Sequence, residues 1–199
     1  MIASKLILAA KIGDQSLKAW WMEFKGPKLS VAIEQLKTDF DEMHFYDTFK
    51  CYQIEKTRVR CLFAGRKIKI VTFKLTADSM TVDGESEEYF AYKNIEADQV
   101  DFNDQTVMIA GSRVANDDET GTFDLAGVFV YNRLGKTGGS PYVRQLISLD
   151  EIYEFTKSNK FRAVLNSDRI FIHGGFVSSV MVFKIGEYTI EGSLGFYSR

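Results

Sequence analysis

Residues 57–63 read Thr-Arg-Val-Arg-Cys-Leu-Phe, and the pattern of this stretch decides the fold class. Apolar and charged side chains alternate along it, so Arg58 and Arg60 share one side of the chain. The apolar residues that share the opposite side are Val59, Cys61 and Phe63. A period of two is typical of a β-strand with one buried face. The stretch therefore predicts a strand in a sheet that covers a core.

The rest of the chain extends this strand-rich pattern. Aromatic residues make up 14% of the sequence, and aromatic side chains suit the half-buried surface of a sheet. Residues 188–196 alternate in the same way, whereas 123–131 and 177–185 are apolar on both sides, as in strands buried on both faces. Short turn signals separate these runs. We therefore expect an antiparallel sandwich or a barrel-like sheet.

Two amphipathic helices are predicted beside the strands, which makes the expected fold class α+β and β-rich. The first covers about 30–43, where apolar residues recur at spacings of three and four. These residues are Leu29, Ile33, Leu36, Phe40 and Met43. The second covers about 149–158, because Ser148 and Glu151 form a capping box before an apolar run. Residues 2–24 form either a hairpin or two short helices, and we favour the hairpin. A single domain, 1–199, is the simplest organisation.

Length and composition limit the class of protein. A chain of 199 residues with 45% apolar and 26% charged residues is suited to a packed core and does not resemble a disordered chain. We expect neither a signal peptide nor a transmembrane segment, since the apolar runs are too short. Two cysteines do not form a disulfide framework, so a soluble cytoplasmic protein in a reducing compartment is expected.

The charges are strongly segregated along the sequence, although the net charge is only −2. Residues 49–77 carry eight basic groups against one acidic group, a net of +7. Residues 78–124 carry thirteen acidic groups against two basic ones, a net of −11. If 57–63 and 67–75 pair through a turn at 64–65, the cations of both strands lie together on one face. Like charges opposed across strands destabilise a sheet, so something must neutralise them.

Three interpretations of this basic region remain open. Acidic side chains from 78–104 can neutralise it within the molecule. Alternatively, it contacts the acidic surface of another copy, which gives a heterologous assembly. The third interpretation is single-stranded nucleic acid bound along 49–75, with cations for phosphates and aromatic rings for bases. For the last two, the candidate contact residues are Arg58, Arg60, Arg66, Lys67 and Lys69.

One detail of the lysines conflicts with a regular strand. Lys67 and Lys69 share parity with Val71 and Phe73, so a strict period of two would place the lysines on the core side. A bulge near 70–71 would turn them outward. Alternatively, the lysines lie beyond the edge of the neighbouring strand.

Signals for catalysis are weak. The sequence contains no Gly-x-Gly-x-x-Gly and no Gly-x-Ser-x-Gly motif, and it has two histidines. His44, Asp47 and Cys51 nominally supply a base, an orienting group and a nucleophile. We instead expect Cys51 and Cys61 to be small buried apolar residues. No cofactor and no metal site is predicted, and an enzyme with a carboxylate or metal site that the sequence does not reveal stays as an alternative.

Trp20 and Trp21 are adjacent, so in a strand one ring faces the core and the other faces outward. An exposed tryptophan often marks a contact surface, and we therefore predict an interface there. Together, these features favour a non-enzymatic association protein, a self-assembling structural subunit of viral, phage or similar type that forms a homo-oligomer. The first alternative is a single-stranded nucleic-acid-binding protein, and the second is an enzyme.

Overall fold

A computed structural model describes residues 3–10, 15–25, 30–84, 86–89, 95–114, 127–132, 143–148, 161–174, 179–185 and 190–196. In these ranges the regular elements are strands and one short 3-10 turn at Met43–Phe45. The strands are β1 (Ala3–Ala9), β2 (Lys18–Lys25), β3 (Ser30–Thr38), β4 (Tyr46–Glu55), β5 (Arg58–Gly65), β6 (Ile68–Leu75), β7 (Ser79–Val82), β8 (Glu87–Tyr89), β9 (Ile95–Phe102), β10 (Thr106–Val114), β11 (Gly127–Asn132), β12 (Val143–Ser148), β13 (Phe161–Asn166), β14 (Arg169–Gly174), β15 (Ser179–Ile185) and β16 (Ile190–Phe196).

The first sheet contains eight strands and curls around its own core. Its order is β1-β2-β3-β7-β6-β5-β4, and β8 pairs with β6 beside this path. All of its pairs are antiparallel except the short parallel pair between β3 and β7. Leu6 of β1 and Phe49 of β4 pack on the same buried cluster, centred on Phe63 and Phe73, although these two strands lie at opposite ends of the sheet. The sheet therefore forms a half-barrel with this cluster on its concave side.

Two four-stranded antiparallel sheets complete the described structure, in the orders β12-β11-β10-β9 and β13-β14-β15-β16. The first of them lies between its neighbours. Val107 and Ile109 of β10 pack against Leu62 and Ile70 of the curled sheet. Met108 and Ala110, on the other side of β10, belong to a second cluster with Ile170 and Ile172 of the last sheet. Strand β10 is thus buried on both faces, and the three sheets form successive layers.

The predicted α+β fold class is wrong, because the described part of the chain is β-rich and contains no α-helix. The first predicted helix, 30–43, is strand β3 followed by residues 39–42 without regular secondary structure and by the 3-10 turn. Leu36, Phe40 and Met43 are buried as their spacing indicated. However, β3 pairs with β2 on one side and with β7 on the other, and this pairing outweighs helical periodicity in setting the backbone.

Two further predictions concern other segments. The second predicted helix, 149–158, lies outside the described residues. The hairpin interpretation of 2–24 is confirmed, since β1 pairs antiparallel with β2, with Ala3 opposite Phe24 and Ala9 opposite Lys18. In the described ranges, no helix has the length and apolarity that a membrane crossing requires.

The expected state of the cysteines is also corrected. Cys51 of β4 and Cys61 of β5 face each other in the antiparallel register and form a disulfide, with their Cα atoms 4.0 Å apart. Cys61 is fully buried, as predicted, but neither sulfur is a free thiol. A count of two cysteines speaks against a framework of several disulfides, but it does not exclude a single link across one hairpin.

Candidate functional site

The register of β5 and β6 separates the basic residues that were predicted to lie together. Arg58 is opposite Lys74 and Arg60 is opposite Thr72, whereas Lys69 is opposite Phe63. The two strands extend to Gly65 and from Ile68, so the turn lies at 66–67 and not at 64–65. The predicted adjacency of Arg58 and Arg60 with the lysines is therefore wrong. In a sheet, a shift of the turn changes every cross-strand partner.

The predicted bulge near 70–71 is wrong as well, because the β5–β6 register runs from Arg58 to Ala64 without a shift. Lys69 consequently lies on the concave, apolar side, where the residue is only 8% exposed. Its Nζ donates to Glu42 Oε1 at 2.8 Å and lies 3.3 Å from Glu88 Oε1. It also lies 6.0 Å from the ring centre of Phe40. Two carboxylates thus neutralise a lysine inside the curled sheet.

The electrostatics of this cluster keep its ion pair charged. Burial opposes the charged ammonium, but hydrogen bonds to Glu42 and Glu88 outweigh it and raise the pKa of Lys69. The hydrogen bond from Lys69 lowers the pKa of Glu42 against the effect of burial. Burial, with the nearby Glu42 carboxylate, raises the pKa of the Tyr46 phenol that donates to Glu42 Oε2. These groups contact one another, so their charges are neutralised within the fold.

Arg58 and Arg60 also have internal partners. The Nε of Arg58 donates to Asp83 Oδ2 at 2.9 Å, and its Nη1 lies 3.4 Å from Glu55 Oε1. The Nε of Arg60 donates to Thr72 Oγ1 at 3.3 Å, and its Nη1 lies 3.7 Å from Asp104 Oδ1. Acidic groups from 78–104 therefore neutralise this part of the basic region, as the internal interpretation predicted.

Asp101 of β9 is the centre of the charged contacts between layers. Its side chain is 3% exposed, and its Oδ2 accepts from Lys50 Nζ of β4 at 2.8 Å. Its Oδ1 accepts a hydrogen bond from the Tyr52 hydroxyl and another from the N–H of Phe102. Its Oδ2 also accepts from the N–H of Leu165 of β13 at 3.3 Å. One buried carboxylate therefore joins all three sheets.

The pKa values of two neighbours of Asp101, Lys50 and Tyr52, are shifted in this environment. Burial alone would lower the pKa of Lys50. The hydrogen bonds to Asp101 and Tyr52 have the larger combined effect, so the pKa of Lys50 is raised overall. Burial and the hydrogen bond to Asp101 raise the pKa of Tyr52. Sequence reasoning placed Asp101 among the neutralising acids but missed its position. The available signal was a carboxylate between two apolar residues, Val100 and Phe102, in a predicted strand.

Alternate residues of β9 and the following turn extend the same contact to the backbone of β13. Gln99 donates through Nε2 to the carbonyl of Phe161 at 2.7 Å and accepts through Oε1 from the N–H of Ala163 at 3.1 Å. Asn103 donates to the carbonyl of Ser167 at 2.8 Å. Side chains therefore hydrogen-bond the edge of β13, which protects it from pairing with another strand.

Arg66 and Lys67 occupy the β5–β6 turn and are both exposed. The backbone N–H of Arg66 donates to the carbonyl of Phe45 at 3.0 Å, and Lys67 Nζ lies 4.2 Å from the ring centre of Phe45. Gly65 permits this approach, because a Cβ there would lie 2.7 Å from the Phe45 carbonyl oxygen. Among the predicted contact residues, Arg66 and Lys67 are the ones without an ion pair in the described structure.

The two tryptophans face opposite sides of β2, as predicted. Trp21 packs on the concave cluster, and its Nε1 donates to the carbonyl of Thr76 at 3.3 Å. Trp20 is opposite Ile7 and Gln35 on the convex side and is half-buried. Trp20 therefore remains the candidate contact residue of this pair.

A different group of cations lies on the last sheet, on the side away from the middle sheet. This surface, which we call the outer face, consists of the outward residues of β13, β14 and β15. They are Arg162, Val164, Asn166, Arg169, Phe171, His173, Val180, Val182 and Lys184. The residues between them, such as Ala163, Ile170 and Met181, are buried against the middle sheet. Sequence reasoning did not single out these residues, because their cations are spread over three strands.

The catalytic alternatives gain no support from the described residues. The disulfide removes the thiol from the nominal group of His44, Asp47 and Cys51. In the same ranges, no cluster of three or more His, Cys, Asp or Glu side chains is arranged to hold a metal ion. No protein-family model matches the chain, and no curated protein shows significant similarity to it.

Proposed function

We propose that this protein is a non-enzymatic association protein that assembles with copies of itself as a structural subunit. The observation that carries the proposal is the exposed end of the β4–β5 hairpin. Residues 52–57 are all exposed, and among them are two large apolar side chains, Tyr52 at 38% and Ile54 at 40%. Strand β4 stands at the end of the curled sheet and pairs with β5 among the described strands. An exposed, apolar edge strand is a template for another chain.

The hairpin is held in place before any partner arrives. The Cys51–Cys61 disulfide joins its two strands, and the Tyr52 hydroxyl is bonded to the buried Asp101. The Tyr52 ring lies 5.2 Å from the ring of Phe102. A surface that is already ordered loses less entropy on binding, which favours association.

The predicted cations flank this surface. Arg60 is opposite Tyr52, and Arg58 is opposite Glu55. Their side chains remain 29% and 38% exposed after their internal contacts. An acidic surface of a second copy would be attracted to them, which favours one orientation of the pair. The contact would then join different surfaces of the two copies. Arg66, Lys67 and Trp20 would add to the interface at other positions.

The disulfide between the two cysteines is relevant to the cellular compartment of the protein. Disulfides persist in oxidising environments, such as the extracellular space or the surface of a particle. The disulfide therefore weighs against the cytoplasmic location that was expected from the cysteine count. The proposed assembly functions in an oxidising environment.

The test is the native mass measured by light scattering for the wild type and for two matched variants. We expect the wild type to form a defined multiple of 22.6 kDa. Ile54→Glu should reduce that mass, because it places a charge in the apolar contact. Val164→Glu, a matched change at a position 50% exposed on the last sheet, should leave it unchanged. A monomeric wild type, or an Ile54→Glu variant of unchanged mass, would contradict the proposal.

A further inference from the structure

The Cys51–Cys61 disulfide links two residues in different surroundings. Cys61 of β5 is fully buried in the apolar cluster on the concave side, whereas Cys51 of β4 is half-buried and is one of the partly buried residues packed against that cluster. Strand β5 is paired with β4 on one side and with β6 on the other. Among the described strands, β4 pairs with β5 alone. Of the two cysteines, Cys51 is therefore the more accessible and lies on the less constrained strand.

The residues on either side of Cys51 hold two layers together. Lys50 and Tyr52 both donate hydrogen bonds to the carboxylate of Asp101 in β9. Successive side chains of a strand point to opposite faces, so segment 50–52 carries the disulfide on the concave side and the Asp101 contacts on the other side. The hairpin end, residues 52–57, follows directly and is exposed throughout. The position of Cys51 therefore sets the geometry of the contacts that order the hairpin end.

Reduction of the disulfide changes the space that the two sulfur atoms need. Two thiols occupy more space than two bonded sulfurs, because atoms that are not bonded keep a van der Waals separation. Cys61 belongs to the same fully buried cluster as Phe63, and a close-packed core resists added volume. The displacement therefore falls on Cys51 and on β4. Hydrogen bonds weaken steeply when their distance or angle changes, so the neighbouring contacts with Asp101 are loosened.

We propose that the Cys51–Cys61 disulfide is a reversible redox switch that sets the order of the β4–β5 hairpin end. In the oxidised protein, the link fixes segment 50–52 and the hairpin end is ordered. In the reduced protein, the hairpin end is looser, while the layers stay packed through their apolar clusters. A loosened surface must be ordered again on binding, so reduction weakens association. This last consequence rests on the proposed self-assembly, whereas the change in the hairpin does not.

The reductant is a dithiol, and the exchange begins at Cys51. A thiolate of the reductant attacks the Sγ of Cys51, so that a new S–S bond forms, the Cys51–Cys61 bond breaks, and Cys61 leaves as a thiolate that takes up a proton. The second thiol of the reductant then attacks the reductant's sulfur in this mixed disulfide, which closes the reductant's own disulfide and releases Cys51. Two electrons and two protons thus pass from the dithiol to the protein. The buried Cys61 thiol needs no partner, because a free cysteine behaves as a small apolar residue.

The first test follows the reduction of the purified, folded full chain by dithiothreitol, with free thiols alkylated and located by mass spectrometry of tryptic peptides. Trypsin cleaves after Lys56, Arg58 and Arg60, so the two cysteines lie on separate peptides. We expect a rate proportional to the reductant concentration, as for direct attack on the folded protein. With glutathione, a monothiol, the mixed disulfide should form on Cys51. A rate that reaches a plateau would overturn the proposal, because the link would then open only after unfolding. A mixed disulfide mainly on Cys61 would overturn it as well.

The second test is backbone hydrogen exchange of the oxidised and the reduced protein. Exchange in peptides that cover 50–57 should become about tenfold faster on reduction, the effect of losing about one hydrogen bond. Strands β10 and β14, which are packed in the other clusters, should stay protected on the same time scale in both forms. The matched control is the variant with Cys51→Ala and Cys61→Ala, whose exchange should not respond to dithiothreitol. Unchanged exchange at 50–57 would overturn the proposal. Loss of protection in β10 and β14 together with 50–57 would also overturn it, because the disulfide would then stabilise the fold as a whole.

The native mass of both forms separates the switch from the proposed self-assembly. An oxidised protein that assembles should lose mass on reduction and regain it on reoxidation. A protein that is monomeric in both forms, with faster exchange at 50–57 only after reduction, supports the switch and contradicts the self-assembly. An assembly of unchanged mass after reduction would show that the switch does not control association.

Discussion

Two regions of this molecule carry basic side chains, and they differ in whether those side chains form ion pairs with carboxylates. On β4–β6, Lys50, Arg58 and Lys69 each contact a carboxylate at 2.8–2.9 Å. On the outer face of β13–β15, Arg162 and Lys184 are exposed and form no ion pair with the described residues. The first region has the larger net positive charge in the sequence, yet carboxylates within and between the layers neutralise most of it.

The comparison shows that a run of like charges is a poor guide to a binding surface when the chain folds into layered sheets. The basic strands 49–77 and the acidic segment 78–124 are neighbours in sequence, and described acids of that segment lie beside the basic strands in space. Asp101 and Asp104, from β9 and the turn after it, reach Lys50 and Arg60. A cation at a buried sheet boundary must be matched by an acid, because an unpaired buried charge is costly. A cation on an open face has no such requirement.

The largest expected effect concerns the carboxylate that joins the layers. Asp101→Ala should lower the free energy of unfolding by about 3 kcal/mol or more, because Tyr52 and two backbone N–H groups lose their acceptor. Urea denaturation measures this. Asp104→Ala, whose side chain is 97% exposed, should cost less than about 0.5 kcal/mol. Equal costs for the two variants would show that Asp101 does not join the layers.

The second-largest expected change in the free energy of unfolding concerns the disulfide in the hairpin of the curled sheet. Replacing Cys51 and Cys61 together by Ala should lower the free energy of unfolding by about 2–3 kcal/mol, as expected for a closed loop of this size. A reductant should lower the denaturation midpoint of the wild type and leave the double variant unaffected. If the reductant leaves the wild type unchanged as well, the link does not contribute to stability.

A smaller effect depends on pH and concerns Lys69. The pKa of Glu42 is lowered in the folded protein, so the Glu42–Lys69 contact stabilises the fold above the ordinary pKa of a glutamate. This contribution is lost as the pH falls through the lowered pKa. Glu42→Gln should therefore cost about 1 kcal/mol near neutral pH and much less in acid. The measurement is the denaturation midpoint from about pH 7 down to pH 3.

Glu34→Gln is the control for that pH series, because Glu34 is an exposed carboxyl on β3. It should leave the acid dependence of the wild type unchanged. A Glu42→Gln variant that is equally destabilised at every pH would indicate a packing effect and would exclude the ion pair as the cause.

The smallest effect contrasts the two regions directly. Arg162→Gln and Lys184→Gln should each change the free energy of unfolding by less than about 0.5 kcal/mol, since their charges contact nothing in the described fold. Arg58→Gln should cost about 1 kcal/mol, because it removes a half-exposed contact with Asp83. If Arg162→Gln is as costly as Arg58→Gln, the contrast between the two regions is incorrect.

Local alternation predicted part of this architecture. The faces of 57–63 are as expected, with Cys61 and Phe63 on the concave cluster and Arg58 on the other side. The period of two sets these faces and needs no partner. The internal neutralisation of the basic strands was one of three interpretations that the sequence left open, and the ion pairs of Arg58 and Arg60 with Asp83 and Asp104 support it.

Other features depend on partners distant in the sequence. The spacing of Leu36, Phe40 and Met43 predicted burial correctly but a helix incorrectly, since the pairing of Thr38 with Met80 was not visible. The β5–β6 turn lies two residues further along the chain than expected. Its position determines which basic residues lie opposite each other in the sheet. Asp101 contacts Leu165, 64 residues away, so its position at the junction of three sheets required the fold. The outer face was missed for the same reason.

The most direct test of this account is a double-mutant cycle between Lys50 and Asp101, with Lys50→Met, Asp101→Asn and the combined variant. The central claim is that charges segregated in the sequence neutralise each other between the layers. It predicts a coupling of about 1 kcal/mol in the free energy of unfolding, reduced from the value of a buried pair because Lys50 is 40% exposed. A coupling within about 0.3 kcal/mol of zero would contradict the claim.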